Sequence, residues 1–358
     1  MLQKSSQDLS SKPRILIIRF SSLGDIVIQT SFVRWLKHIK PDYHISFLVA
    51  KEFAPLVNNL SEVDQVWTYE RTSGLKDVKQ LLSTAKKISH NSIDLVFDLH
   101  GNTRTAILSF ISRAPFIKVD KRSIRRKVLV KFKKNYLKNL SSQHRRTIED
   151  FQFLSNSCFD FKDLERKKGT LSPDTLTKIN ELPIKNEKII IISPVASFES
   201  KRWPIELYQN LIDLILEDQE LSDFKIVILA GPSDHYCQAL SGDSGRVKNL
   251  QGKLNLVETF EYFSKASLCV TNDTGSLHMA ESYGIPCLAI FGSTSPDFGF
   301  RPHLEKSRLF YSEASCSPCS TTGKRPCHRE QHQCMLDIKP ASVYSILKEK
   351  LLGDLLSI

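Results

Sequence analysis

The sequence predicts an α/β protein made of two successive halves, and three observations carry that expectation. Short runs of Ile, Val and Leu alternate with longer stretches of helical periodicity, the rhythm of parallel strands joined by helices. The rhythm restarts after about residue 185, and 358 residues suit two domains on the usual ~100–200 residues apiece.

Each element follows from its own pattern. In the first half, RILIIRF and HISFLVA read as buried strands, with the amphipathic IVIQTSFVRWLKHI between them; IDLVFDL and TRTAILSFI repeat the strand–helix unit. In the second half, KIIIISPV, FKIVILAGP, SLCVTND and PCLAIFG are the strands, and PIELYQNLIDLILE, LVETFEYFSKA and GSLHMAESYG the helices. The Ser-, Pro-, Asp- and Lys-rich stretch from about Lys162 to Glu187 reads as a connector. Domains are therefore expected over residues 1–180 and 181–340, and the terminal segment 341–358 (SVYSILKEKLLGDLLSI ends it) has the spacing of a helix packed on the body of the protein.

Composition narrows the function classes. The first residues, MLQKSSQDLSSKPR, lack the apolar core of a secretory signal, and no apolar run reaches the roughly 18 residues a bilayer span requires, so a cytoplasmic location is expected. The net charge of +11 favours anionic partners: nucleotides, phosphorylated lipids, a membrane surface or nucleic acid. Eight cysteines without an export signal point to reduced thiols. Cys158, Cys237, Cys269 and Cys287 are scattered packing residues, whereas Cys316, Cys319, Cys327 and Cys334, with His328 and His332 among them, have a spacing that could hold zinc. One Cys-x2-Cys pair plus two unevenly spaced cysteines favours free or packed thiols over a metal, and no metal or cofactor is assigned.

In open parallel sheets ligands sit beyond the carboxyl ends of the strands, which makes the strand-to-helix loops the places to look. The first loop, Phe20-Ser21-Ser22-Leu23-Gly24-Asp25, carries one glycine where a dinucleotide fingerprint needs three. Asp25 then has two readings, a helix-capping carboxylate, which the residues alone favour, or a base facing a cleft. The turn Asn272-Asp273-Thr274-Gly275 opens a helix whose first amides suit a pyrophosphate, with Ser276 and His278 on its first turns. Beside phosphate, Asp273 would have to shape the turn or accept hydrogen bonds from ligand hydroxyls; His278 is either a cation near phosphate or, as is commoner, a packed core histidine. The third loop, Ser193 to Pro204, offers Ser197 and Lys201 to a phosphate, against the alternative of a solvated Lys-Arg pair beside a packed Trp203. His100, Asn102 and Arg104, in HGNTRTA, form a further polar loop of the first half. From Arg113 to Arg146 cations dominate, opposed by Asp120 alone and interleaved with Phe116, Phe132 and Tyr136; a solvated basic face, nucleic-acid contact and an anionic lipid surface are the three readings.

Taken together, RILIIRFSSLGDIVIQTSFVRWLKHIKPDYHISFLV, PVASFESKRWP and VTNDTGSLHMAESYGIPCLAIFGSTSP resemble glycosyltransferase family 9, the bacterial heptosyltransferases of the lipopolysaccharide inner core. The likeness runs from Arg14 to about Pro340, and the joint order of the motifs is far more specific than any one of them. The resemblance implies a GT-B architecture: two Rossmann-like domains facing each other across a central cleft, acceptor on the N-terminal side, nucleotide sugar on the C-terminal side, and a terminal helix returning toward the first domain. It implies Asp25 as catalytic base; Ser197, Lys201, Asp273, Thr274, Gly275, Ser276 and His278 at the donor; and Ser22, Gly24, His100, Asn102 and Arg104 at the acceptor. Asp234 and His235 would lie near the nucleoside. The implied chemistry is an inverting, metal-independent transfer of heptose from ADP-heptose to a lipid A–core acceptor at the inner face of the cytoplasmic membrane, with the basic stretch meeting anionic headgroups. Another nucleotide sugar, or a basic nucleic-acid-binding protein with a zinc-like cysteine cluster, are the alternatives.

Overall fold

The structure, a computed structural model, describes residues 12–119, 123–133, 188–242, 245–312, 314–329 and 331–353. It divides into two compact units, the described residues up to 119 forming the first and those from 123 onward the second. The expected connector, Cys158, the boundary near residue 180 and much of the basic stretch, Lys134 to Arg146, lie outside the described residues.

The first unit runs β1 (Arg14–Ile18), α1 (Leu23–Ile39), β2 (His44–Ala50), α2 (Ala54–Asn58), β3 (Gln65–Tyr69), α3 (Gly74–His90), β4 (Leu95–Asp98), α4 (Thr103–Ser112) and β5 (Phe116–Lys118). Its five strands are all parallel, in the order β3-β2-β1-β4-β5. A strand flanked on both sides and covered on both faces must be apolar along its length, which is why RILII and LVF read as unbroken runs. Leu16 and Ile18 of β1 are buried with Leu81 and Ile88 of α3 and Leu108 of α4, and α1 buries Ile26, Phe32, Val33 and Leu36. Full burial of such a side chain contributes about 1.5–3 kcal/mol relative to exposure. The order reverses between β1 and β4, so the loops after these two strands flank the switch point where open parallel sheets bind ligands.

The second unit begins with α5 (Ser123–Phe132), then β6 (Ile189–Ser193), α6 (Ile205–Glu217), β7 (Lys225–Ile228), β8 (Val247–Asn249), α7 (Leu256–Lys265), β9 (Leu268–Asn272), α8 (Gly275–Ser282), β10 (Cys287–Phe291), β11 (Arg308–Tyr311), α9 (Gln333–Leu336) and α10 (Pro340–Gly353). Its six strands are again all parallel, ordered β11-β10-β9-β6-β7-β8, with the switch point between β6 and β9. Two doubly wound parallel sheets are the α/β architecture expected of the sequence. Pro204 stands one residue before α6 rather than inside it.

Two elements bear on the expected division of the chain. The basic helix α5, expected with the N-terminal domain, docks on the second unit: Arg126 lies over the rings of Phe298 and Phe300 at 5.4 and 5.1 Å, and Lys133 Nζ donates to the Pro318 carbonyl. The terminal helix α10, expected to reach toward the first domain, is anchored over its described turns on the second. Val343, Leu347 and Leu351 enter the core that α6 fills with Leu211, Ile212 and Ile215, while Lys348 pairs with Asp218 at 2.7 Å. A helix with one apolar stripe settles where that stripe is covered, and α6 covers it. Residues 354–358 lie outside the described residues.

Candidate active site

At the switch point of the first unit, β1 ends at Ile18, Arg19 and Phe20 follow in the loop, and Ser22 caps α1. Asp25 occupies the third helical position and closes a capping box: Ser22 N and Ser22 Oγ donate to Asp25 Oδ2 at 3.3 and 2.9 Å. Arg19 Nη2 meets the same oxygen at 2.5 Å, and Arg19 Nη1 donates to the Leu99 carbonyl in the loop after β4, so one guanidinium ties both switch-point loops together. Asp25 Oδ1 takes no partner among the described residues. Burial pushes the Asp25 carboxyl up, but the Arg19 charge and the Ser22 hydrogen bonds outweigh it and hold the group below the usual carboxylate range. The capping reading and the open-oxygen reading thus coexist in one side chain: Oδ2 holds the helix, and Oδ1 is left over.

Across the same switch point, Asp98 ends β4 and accepts the amides of His100 (3.1 Å) and Gly101 (2.7 Å) on Oδ1, which folds the HGN turn, with Gly101 at φ +57°. His100 rests edge-on against Phe20, centroids 5.2 Å apart. Asn102 caps α4, its side chain accepting from Thr105 N at 3.0 Å. Arg104 turns to α3, donating to both Asp77 oxygens at 3.3 and 3.0 Å and to the Thr72 carbonyl. Of the residues expected at the acceptor, Ser22, Gly24 and His100 therefore cluster with Asp25 at the strand ends, while Asn102 and Arg104 hold α4 and α3.

The second unit repeats the device at its own switch point. Lys201, in a short 3-10 turn after β6, places Nζ 2.7 Å from Asp273 Oδ2, and Thr294 Oγ1 donates to that oxygen at 2.6 Å. Both side chains of the pair are largely buried, at 16% and 11% exposed. Burial raises the Asp273 carboxyl, and Lys201, then Thr294 and His278, more than reverse this, leaving it below its ordinary value. At the start of α8, Asp273 thus ties the Lys201 loop to Thr294. Thr274 is the N-cap of α8 and its side chain makes no cap hydrogen bond; Thr274 and Gly275 are half-buried, while Ser276 and Leu277 behind them are buried. Ser276 Oγ is hydrogen-bonded to Ser193 Oγ at 2.7 Å. His278 is buried within 6.1 Å of Phe300, between its two expected roles: packed in the core, yet close enough to Asp273 to lower it. Ser197 is exposed on the rim of the loop, and Asp234 closes its own turn through the Gly231 amide at 3.0 Å.

Reasoning from the sequence missed three residues of this site. Asn272 accepts from Trp203 N (3.0 Å) and Tyr208 Oη (3.1 Å) and donates to the Pro194 and Val195 carbonyls (2.7 and 3.2 Å), which fixes the Lys201 loop to the end of β9. A polar residue closing an apolar strand was the available signal. Thr294 and Arg19 act through contacts distant in sequence or masked by the motif beside them. The four late cysteines, with His328 and His332, border one small enclosed void; all four are free thiols, and Cys334 is pushed up to about 11 by burial and its neighbouring thiols. Among the described residues no group of three His, Cys, Asp or Glu side chains is arranged to hold a metal ion.

Two doubly wound parallel sheets, joined in one chain, are the α/β architecture of the GT-B class of glycosyltransferases. The family model of glycosyltransferase family 9 (heptosyltransferase) matches residues 81–328, and the chain belongs to that family. It is 28% identical over 314 residues to the lipopolysaccharide heptosyltransferase 1 of Campylobacter coli, covering 82% of this chain and 88% of that one. In fold it resembles the Escherichia coli ADP-heptose lipopolysaccharide heptosyltransferase II (TM-score 0.66, 20% identity, 95% and 99% of the two chains). It also resembles the E. coli heptosyltransferase WaaC solved with ADP (TM-score 0.66, 16% identity, 94% and 98%). Family membership makes the protein a glycosyltransferase.

Proposed function

We propose that the enzyme transfers a heptose from ADP-heptose to the inner core of a lipopolysaccharide precursor, with inversion and with Asp25 as general base. One observation carries the reading: Asp25 Oδ2 is fixed by Arg19 and Ser22 while Oδ1 takes no partner among the described residues. An acceptor hydroxyl hydrogen-bonded to Oδ1 gives up its proton as its oxygen attacks the anomeric carbon, and the nucleoside diphosphate leaves from the opposite face. Charge growing on the departing diphosphate is met by Lys201 and the first amides of α8. Asp273 Oδ2, already shared by Lys201 and Thr294, sets the loop, and Ser197 lies on the rim where a donor phosphate or sugar hydroxyl would reach it. His100, Ser22 and Gly24 line the acceptor side. The ADP-heptose donor is supported by two relatives of the same fold, an ADP-heptose heptosyltransferase and a heptosyltransferase solved with ADP.

The test is to incubate the enzyme with ADP-heptose and with UDP- and GDP-sugars, together with a defined lipid A–core acceptor, and to read product mass. A gain of one heptose from ADP-heptose alone is the expected result; transfer from a different nucleotide sugar replaces the donor assignment. Turnover is expected to be the same in excess chelator, since a lysine and helix amides supply the leaving-group charge and the sequence has no Asp-x-Asp pair. Strict dependence on added magnesium or manganese would overturn that part.

Arg19 is a positioning residue for the base, and pH reports it. Arg19→Gln removes the charge that lowers the Asp25 carboxyl and keeps the burial that raises it. The acid limb of kcat/KM is therefore expected to move to higher pH in the variant, because a base is lost as pH falls through its pKa. An unshifted limb would assign the limb to another group.

No helix among the described residues is long and apolar enough to cross a membrane. We place the enzyme at the cytoplasmic face of the inner membrane, where the basic stretch meets anionic lipid, as a peripheral protein.

A further inference from the structure

The first unit carries an unpartnered apolar face. Seven large apolar side chains are exposed among the described residues, and five of them, Leu75, Val78, Leu82, Ile107 and Phe110, stand on α3 and α4. Exposed apolar side chains scattered singly need no account; five on two neighbouring helices do. The helices lie side by side in the same direction. Arg104 pairs with Asp77 near their N-termini, and Ser89 Oγ donates to the Ser112 carbonyl near their C-termini, at 3.0 Å in each case. Leu75, Val78, Leu82 and Ser89 follow one another at intervals of three, four and seven residues, so the stripe that ends in the contact of Ser89 with α4 is the apolar one. Ile107 stands one turn after Arg104, on the side of α4 that reaches α3, and Phe110 follows it by three. These side chains line the outer seam between the helices, with Leu75 and Phe110 standing clear at 80% and 85% exposed.

The same face is cationic. Asp77 is the only carboxylate in α3 and α4, and Arg104 and the Tyr69 hydroxyl already hold it. Lys76, Lys79 and Lys86 are exposed and enter no ion pair among the described residues, whereas Lys87 is drawn over the Trp67 ring at 4.1 Å. Apolar side chains interleaved with unpaired ammonium groups suit a bilayer whose headgroups are anionic and whose acyl boundary takes up the apolar groups. A second copy of the chain fits poorly, because a two-fold contact would set these cations against one another.

We propose that the α3/α4 face is where the enzyme seats on an anionic membrane, Leu75 and Phe110 dipping into the acyl boundary while Lys76, Lys79 and Lys86 meet phosphate headgroups. The inference rests on the peripheral-membrane reading above. It names a surface of the first unit that is separate from the basic stretch and adds apolar contact to charge.

The experiment measures sedimentation of the full chain with vesicles of phosphatidylethanolamine and phosphatidylglycerol, with phosphatidylcholine vesicles as the neutral arm. Wild type is expected to bind the anionic vesicles and to keep part of that binding in high salt, because apolar contact is not screened. Leu75→Ser with Phe110→Ser is expected to weaken binding by about tenfold or more and to remove the salt-resistant part. Lys79→Gln with Lys86→Gln is expected to weaken it by about tenfold or more, at low salt only. The substituted side chains are exposed, so melting temperature and ADP affinity are expected to be unchanged. The three native tryptophans are buried, so Phe110→Trp reports on its own position, and its fluorescence is expected to be quenched by lipid brominated in the acyl chain. Unchanged vesicle binding in either double variant, or no quenching in vesicle-bound Phe110→Trp, overturns the proposal and leaves membrane binding to the basic stretch. Equal binding to neutral and anionic vesicles overturns it as well, and a concentration-dependent dimer that Phe110→Ser dissolves overturns it in favour of a second copy. Failure of the wild type to bind any vesicle overturns it together with the peripheral reading. No transfer is measured, so none of these outcomes touches the heptose assignment.

Discussion

Asp25→Asn is expected to lower turnover by about 10²- to 10⁴-fold, the usual cost of removing a general base, while leaving ADP affinity nearly unchanged. The amide keeps the size of the carboxylate but cannot take the proton, so the loss belongs to the chemical step. It also strips Arg19, 12% exposed, of its counter-ion, and some loss of stability will accompany the loss of rate. Pairing the change with Arg19→Gln separates the two effects. The double variant should recover melting temperature without recovering rate. Single-turnover transfer, nucleotide calorimetry and thermal melting together make the check, and wild-type turnover in Asp25→Asn would remove the base assignment outright.

Lys201→Met should be nearly as damaging, for two separable reasons. Losing a cation aimed at the departing diphosphate is expected to cost about 10²- to 10³-fold in rate. The substitution also leaves Asp273 charged in a nearly closed loop, a destabilisation of about 3 kcal/mol, at the lower end for a buried pair because both groups keep some solvent contact. The sign with pH is definite. The native Asp273 carboxyl is depressed, so the pair's contribution is present above the ordinary aspartate range and is lost as pH falls through the depressed value. Without Lys201 the carboxyl rises and is neutralised sooner, and the melting gap between wild type and variant should narrow in acid. Lys201→Met with Asp273→Asn should restore stability yet remain slow; recovery of rate in that double variant would show that the lysine serves the loop and not the leaving group.

Much of the fold was legible because central parallel strands must be apolar end to end. β1, β2, β4, β6, β7, β9 and β10 each announce themselves as such a run. The edge strands β3, β5, β8 and β11 do not, since one side of each lacks a neighbour and their residues are only partly buried. The terminal helix was readable as a helix, but its docking on α6 is decided by which apolar stripe meets which, information that no local window contains. In the site, Asp25, Lys201 and Asp273 stood out as charges in strand-to-helix loops. Asn272 and Thr294 did not, because their importance arises from partners 69 and 21 residues away. Arg104, expected at the acceptor, also holds Asp77, a partner 27 residues earlier whose helix shows no sign of it in sequence.

The resting enzyme carries its own counter-ions at both switch points. On the reading proposed above, a donor phosphate must compete with Asp273 for Lys201, whereas an acceptor hydroxyl meets Asp25 Oδ1 and leaves Arg19 in place. Small stray anions such as chloride or single phosphates offer too little to displace a neighbour already at hydrogen-bond range, whereas a diphosphate that also caps the α8 amides does. The Lys201–Asp273 pair would thus set a threshold that a diphosphate crosses and a monovalent anion does not.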